Sequence, residues 1–170
     1  MSKLLVPDIM LRNIYELKPE DLRESGITLL FLDLDNTLAP YSGNEPTPEL
    51  RNWVTSIKNA GIEPFILSNN RGDRPETFAR ALSLEYVNLA KKPSSKKLLE
   101  VLSDKGISPK NAAIVGDQIY TDVLCGRLAG VKCILIEPIE LKNPLFRLRY
   151  WLELPFRAGK YGARKGKREN

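Results

Sequence analysis

The stretch Gly26-Ile27-Thr28-Leu29-Leu30-Phe31-Leu32-Asp33-Leu34-Asp35-Asn36-Thr37 decides the fold. From Ile27 to Leu32 the residues are apolar or β-branched without interruption, as in a short strand covered on both faces. The run stops at two carboxylates spaced two apart. At the end of a hydrophobic strand such a pair is costly unless it binds a cation or exchanges protons.

Downstream of this strand the pattern alternates. Thr47-Pro48 supplies an N-cap followed by proline at the first helical position, Leu50, Trp53, Val54 and Ile57 repeat at helical spacing, and Gly61 ends the helix. Residues 62–68 read as a second strand, 75–83 as a short helix and 86–90 as a weaker strand. A helix over 95–105, with Leu98, Leu99 and Leu102 on one face, precedes apolar runs at 112–116 and 131–136, which flank a helix over 121–129. Five strands alternating with helices predict an α/β, Rossmann-like parallel sheet with helices on both faces. Ligands of such sheets bind beyond the carboxyl ends of the strands. Asp33 and Asp35, Ser68, Lys92 and Asp117 all fall at strand ends.

Composition narrows the chemistry. The 170 residues include no histidine, which removes a Ser-His-Asp triad and every His-based metal site. A cysteine-nucleophile phosphatase would need an arginine six positions after its cysteine. Those positions, after Cys125 and Cys133, are Val131 and Ile139. The two cysteines sit in apolar surroundings and read as reduced, buried thiols. Residues 1–7 are too short and too soon broken by Pro7 for a signal h-region, so a cytoplasmic protein is expected.

Metal chemistry must therefore use oxygen ligands. Asp117, in Gly116-Asp117-Gln118-Ile119-Tyr120-Thr121-Asp122, can add a carboxylate to Asp33 and Asp35, and Mg²⁺ suits few carboxylates completed by waters and a substrate phosphate. Ser68 and Lys92 would face phosphoryl oxygens as donor and point charge. Lys91 adjoins Lys92, and only the following Pro93 favours the second. Alone, each residue has a plainer role: a strand-end Asp caps helices, Ser68 begins a turn, and Arg71 and Arg74 are expected at the solvated surface.

Asp33-Leu34-Asp35-Asn36-Thr37, Ser68 after an apolar strand, Lys92-Pro93, and Gly116-Asp117 with Asp122 behind resemble, in order, the four motifs of the haloacid dehalogenase-like hydrolases. The opening Val6-Pro7-Asp8, the phrase from Gly26 to Pro40 and the turn Ser68-Asn69-Asn70 resemble more narrowly the YqeG family of phosphatases, related to a mitochondrial phosphatidylglycerophosphate phosphatase. The resemblance implies Asp33 as nucleophile and Asp35 as general acid and base. It implies Mg²⁺ held by Asp33, the Asp35 main-chain carbonyl and Asp117, phosphate held by Ser68, Asn69 and Lys92, and Asp122 behind the ligands, with Thr37 orienting the site. The family's cap domain has no room between the motifs here, so a capless member is expected.

The basic character belongs to the tail: residues 142–170 hold nine Lys or Arg against two acidic residues, in a chain of net charge +5. We expect residues 1–141 to form the phosphatase domain and 142–170 a basic amphipathic extension, with Leu145 to Leu154 mostly apolar and a basic run from Arg157 to Arg168. That order suits the interface of an anionic membrane, which points to peripheral contact and a phosphorylated lipid headgroup as substrate. The alternatives are a soluble phosphate monoester, a terminal helix packed on the domain, or a non-catalytic nucleic-acid or ribosome adaptor resting on charge alone.

Overall fold

The structure, a computed structural model, describes residues 3–157. In chain order its elements are β1 (Ile9–Leu11), α1 (Pro19–Glu24), β2 (Leu29–Leu32), α2 (Pro48–Asn59), β3 (Glu63–Leu67), α3 (Arg74–Leu82), β4 (Glu85–Val87), α4 (Lys96–Asp104), β5 (Ala112–Gly116), α5 (Leu124–Ala129), β6 (Lys132–Ile136) and α6 (Pro144–Arg157). The strands form one parallel sheet in the order β1-β6-β5-β2-β3-β4. The chain proceeds outward from β2 through β3 to β4 on one side and from β5 to β6 on the other. The reversal between β2 and β5 is therefore the switch point at which such sheets place their ligands.

β2 is buried along its whole length because its residues serve two cores. Leu30 and Leu32 pack with Leu50, Val54, Ile57 and Phe78 of α2 and α3, while Leu29 and Phe31 pack with Leu98, Leu102 and Cys125 of α4 and α5. A Leu or Phe so enclosed contributes roughly 1.5–3 kcal/mol relative to exposure, so β2 alone anchors both layers. α2 begins as its sequence suggests, with Thr47 Oγ1 accepting from Leu50 N at 3.2 Å and Pro48 in the first turn. It ends before Gly61 at φ +77°, a left-handed conformation that glycine adopts without strain.

Three elements differ from expectation. The sheet has six strands, because Ile9–Leu11 pairs with β6 at the edge; three residues are too few to show a period. The helix expected over 121–129 opens with a π-helical turn at Ile119–Val123 before α5. The buried face of α4 is Leu98, Val101 and Leu102, while Leu99 is 40% exposed. Both cysteines are free and buried, and burial first of all pushes each thiol up to about 12.

Between Asp35 and Ser68 lie a loop, α2 and β3, and between Ser68 and Lys92 only α3, β4 and short loops, so among the described residues no cap domain is inserted in either place. α6 buries Glu153 and Arg157, packs Phe156 against the α4/α5 core and exposes Leu145, Leu148 and Trp151. The basic run beyond Arg157 lies outside the described residues. No helix among them is long and apolar enough to cross a membrane.

Candidate active site

Adjacent parallel strands β2 and β5 end within one residue of each other, Leu32 pairing with Val115, and each is followed at once by an aspartate. Asp33 N donates to Val115 O at 2.9 Å, which fixes the end of β2 beside that of β5. After Asp33 the chain turns tightly. Leu38 N donates to Leu34 O at 3.0 Å, and Asn36 adopts φ 68°, a left-handed value that asparagine tolerates better than most residues. The Asn36 side chain then donates to Glu140 O at 2.7 Å and accepts from Glu140 N at 2.9 Å, joining this loop to the segment before α6.

At the centre lies a buried charge cluster. Lys92 Nζ contacts Asp33 Oδ1 at 2.6 Å and Asp122 Oδ1 at 2.7 Å, and Thr37 Oγ1 donates to Asp33 Oδ2 at 3.0 Å. The side chain of Lys91, next to it, is exposed. Burial alone would lower the Lys92 ammonium, but Asp122 and Asp33 outweigh it and hold the group well above its ordinary range. Burial pushes Asp33 up to about 6 against the pull of Lys92, with Asp122 adding to the rise. Asp117 is also held well above the carboxylate range, through burial first and then Asp33 and Asp122, while Arg149 and Arg157 of α6 act against the rise.

Carboxylate oxygens of Asp33, Asp117 and Asp122 lie within 4.8 Å of one another. When fully ionised, three carboxylates and one ammonium leave two negative charges uncompensated within the cluster, and Asp117 Oδ1 is buried with no hydrogen-bond partner. A divalent cation fits that charge and that orphaned oxygen. Gly116 makes room for the arrangement, since a Cβ there would collide with the Asp122 carboxylate.

The remaining candidates surround this cluster. Ser68 is buried at the end of β3, and its Oγ accepts from Asn70 N at 3.1 Å, leaving the hydroxyl proton to donate elsewhere. Asn69 holds both backbone groups of Lys92: its Nδ2 donates to Lys92 O at 3.0 Å and its Oδ1 accepts from Lys92 N at 2.7 Å. Asp35 accepts from Asn70 Nδ2 at 2.9 Å and lies 2.7 Å from Arg74 Nε, an ion pair in which the N–H is not aimed for a hydrogen bond.

Arg74 is therefore not the solvated residue its surroundings in the sequence suggest. Its guanidinium also donates to the carbonyls of Pro40, Tyr41 and Gly43 and lies over the Phe78 ring. Arg71 is exposed, as expected.

Sequence reasoning missed Glu153 and Arg157 as well. Arg157 donates to the main-chain carbonyl of Asp117 and pairs with Glu153 at 2.9 Å. Their spacing of four on a helix is the only signal, and it is indistinguishable in sequence from a surface pair. At the rim, Tyr41 stacks on Phe146 of α6 with centroids 4.9 Å apart. Burial, with the carboxylates of Asp117, Asp33 and Asp35 behind it, pushes the Tyr41 phenol up to about 12.

The family model described as haloacid dehalogenase-like hydrolase matches residues 3–130. The chain is 32% identical over 139 residues to the Bacillus subtilis (strain 168) protein named "Probable phosphatase YqeG", covering 82% of this chain and 81% of that one. It is 28% identical over 175 residues to the phosphatidylglycerophosphate phosphatase 1 of Arabidopsis thaliana, covering 96% of this chain but only 50% of that protein. Among solved structures, the 3-deoxy-D-manno-octulosonate 8-phosphate phosphatase of Moraxella catarrhalis, in complex with magnesium, phosphate and KDO, shares the fold. Its TM-score is 0.52 at 15% identity, covering 81% of this chain and 91% of that one. Sequence match, fold and strand-end aspartates agree: the chain belongs to the haloacid dehalogenase-like hydrolases and is an enzyme of their phosphatase kind.

Proposed function

We propose that the protein hydrolyses a phosphate monoester through an aspartyl-phosphate on Asp33. The observation that carries this reading is the placement of Asp33 at the switch point, with the Lys92 ammonium at 2.6 Å and an Asp117 carboxylate oxygen within 4.8 Å. An Asp33 carboxylate oxygen attacks phosphorus in line, the bond from phosphorus to the leaving oxygen breaks, and Asp35 supplies the proton that oxygen takes up. Water then attacks the aspartyl-phosphate and gives its proton to Asp35. The bond from phosphorus to the Asp33 oxygen breaks, and inorganic phosphate leaves. Lys92 and the Ser68 hydroxyl hold the phosphoryl oxygens, Asn69 acts by positioning Lys92, and Thr37 orients Asp33.

Asp33, the Asp35 main-chain carbonyl and Asp117 would hold Mg²⁺, with Asp122 behind them. When bound, the cation would offset the repulsion between a carboxylate nucleophile and an anionic phosphate. Support comes from the uncompensated charge and from the magnesium and phosphate named for the Moraxella enzyme.

For the substrate we favour phosphatidylglycerophosphate at an anionic membrane surface, met from the cytoplasmic side. The Arabidopsis relative supports it, as do the open, capless site and the exposed Leu145, Leu148 and Trp151 of α6 on a basic extension. Activity should be assayed on an aryl phosphate and on phosphatidylglycerophosphate in mixed micelles, with Mg²⁺ or excess chelator. Chelator-resistant turnover, or an undiminished rate in Asp33→Asn, would overturn the mechanism. A strong preference for soluble monoesters would overturn the lipid assignment alone.

A further inference from the structure

We propose that Glu153 and Arg157 are positioning residues for the cation-binding aspartate, so that α6 forms part of the active site. The inference rests on the reading of Asp117 as a cation ligand. Asp117 stands just past the end of β5, and the local ties of this loop begin at Gln118, whose N donates to Asp122 Oδ2 at 3.2 Å and whose O accepts from Asp122 N at 3.0 Å. Two side chains some 35 to 40 positions away in sequence add ties on both sides of it. Arg157 Nη2 donates to Asp117 O, and Glu153 Oε1 accepts from Ile119 N at 3.0 Å and Tyr120 N at 3.4 Å, capping the π-helical turn that carries Asp122. One α6 ion pair thus holds the loop on both sides of Gln118, between the two aspartates.

Burial argues that this contact is built rather than incidental. Glu153 is 1% and Arg157 3% exposed, on a helix whose opposite face is open to solvent. Charged groups so enclosed are costly unless paired, and these are paired with each other, with Glu137 3.5 Å from Arg157 Nη1. The Tyr150 ring lies 4.5 Å from the guanidinium, and Tyr150 Oη donates to Glu137 at 2.7 Å, completing the enclosure.

The sign of the effect needs deciding, because a guanidinium near a cation site repels the cation. Arg157 is flanked by two carboxylates, so the trio carries one net negative charge. Its hydrogen bond goes to the Asp117 main chain, not to the carboxylate. Positioning therefore outweighs repulsion, and loss of Arg157 weakens cation binding. Groups that orient metal ligands typically change affinity about 10- to 100-fold when removed.

The test uses the full chain and Mn²⁺ as a spectroscopically visible divalent probe, titrated by electron paramagnetic resonance well below the unfolding temperature, with thermal unfolding in chelator recorded in parallel. Asp117→Asn reports on the underlying reading: if wild type shows no binding that Asp117→Asn removes, that reading and this inference both fall. Given such binding, Arg157→Met is expected to weaken it at least about 10-fold, and Arg157→Lys to restore part of it. Glu153→Gln is isosteric and keeps one acceptor, so it remains informative should Arg157→Met not fold; its expected weakening is roughly threefold to tenfold. A merely structural pair would lower the unfolding temperature and leave Mn²⁺ affinity unchanged. Affinity within twofold of wild type in Glu153→Gln and in every folded Arg157 variant, or tighter binding without Arg157, would overturn the assignment.

Discussion

Lys92 shows how single residues are committed here. Its side chain, 2% exposed, bridges two carboxylates that, among the described residues, approach no other cation as closely. Lys92→Met keeps the length of the side chain and removes the charge, leaving Asp33 and Asp122 buried and facing each other. Breaking a buried pair from one side typically costs about 3–5 kcal/mol, so metal-free Lys92→Met should unfold at much lower temperature as well as losing activity. Denaturant titration checks this, and a loss under about 1 kcal/mol would mean that water reaches the cluster. Asp35 behaves differently, since its Arg74 and Asn70 partners lie at the site's edge. Asp35→Asn is expected to slow alkyl phosphates far more than aryl phosphates, because only the poor leaving group needs a proton. Equal losses on the two substrates would remove Asp35 from the general-acid role.

Among the elements, α6 has two unlike faces, and each makes its own prediction. Trp151 is 68% exposed, so Trp151→Glu should leave stability within about 0.5 kcal/mol and turnover of an aryl phosphate unchanged, while weakening co-sedimentation with anionic vesicles. Phe156 packs on the core and against the Tyr120 ring, so Phe156→Ala should cost roughly 1–3 kcal/mol and leave the vesicle contact to Trp151 and its neighbours. Equal vesicle binding by Trp151→Glu and wild type would remove the exposed face as the anchor. The same contrast explains what sequence could reveal. β2 was legible because covering both faces leaves an unbroken apolar run, and Asp33 and Asp117 were legible because strand ends mark the switch point. β1 was hidden by its three-residue length, and the π-helical turn by its dependence on Glu153 accepting from Ile119 N. Arg74, Glu153 and Arg157 take their meaning from partners about 30 to 40 positions distant, which periodicity and local motifs do not encode.

For the molecule as a whole, the active site opposes stability, and pH exposes the conflict. Asp33 is raised from 3.8 to about 6, and Asp117 is raised well above 3.8, both chiefly by burial. A carboxyl group whose folded pKa exceeds its unfolded value contributes stability that is fully present below the unfolded pKa and lost as pH rises through the folded one. Lys92 is also raised, but from 10.5, so its contribution is undiminished throughout this acid-to-neutral window. The metal-free protein should therefore lose stability through Asp33 between about pH 4 and 6, and through Asp117 as pH rises above that group's unfolded pKa. Other carboxylates in the chain have slopes of their own, so Asp117→Asn serves as the reference. In chelator the variant should match wild type near pH 4 and become the more stable of the two as pH rises, by about 2–4 °C in unfolding temperature for each kcal/mol. Saturating Mg²⁺ should reverse the order, because a cation bound only by the folded state stabilises wild type by mass action and binds best when the cluster is ionised. Thermal unfolding from about pH 4 to 8, with chelator and with Mg²⁺, measures all four curves. A metal-free Asp117→Asn that is less stable than wild type at neutral pH would show that the buried carboxylate is a structural asset, and the conflict between holding charge and holding the fold would not exist at this site.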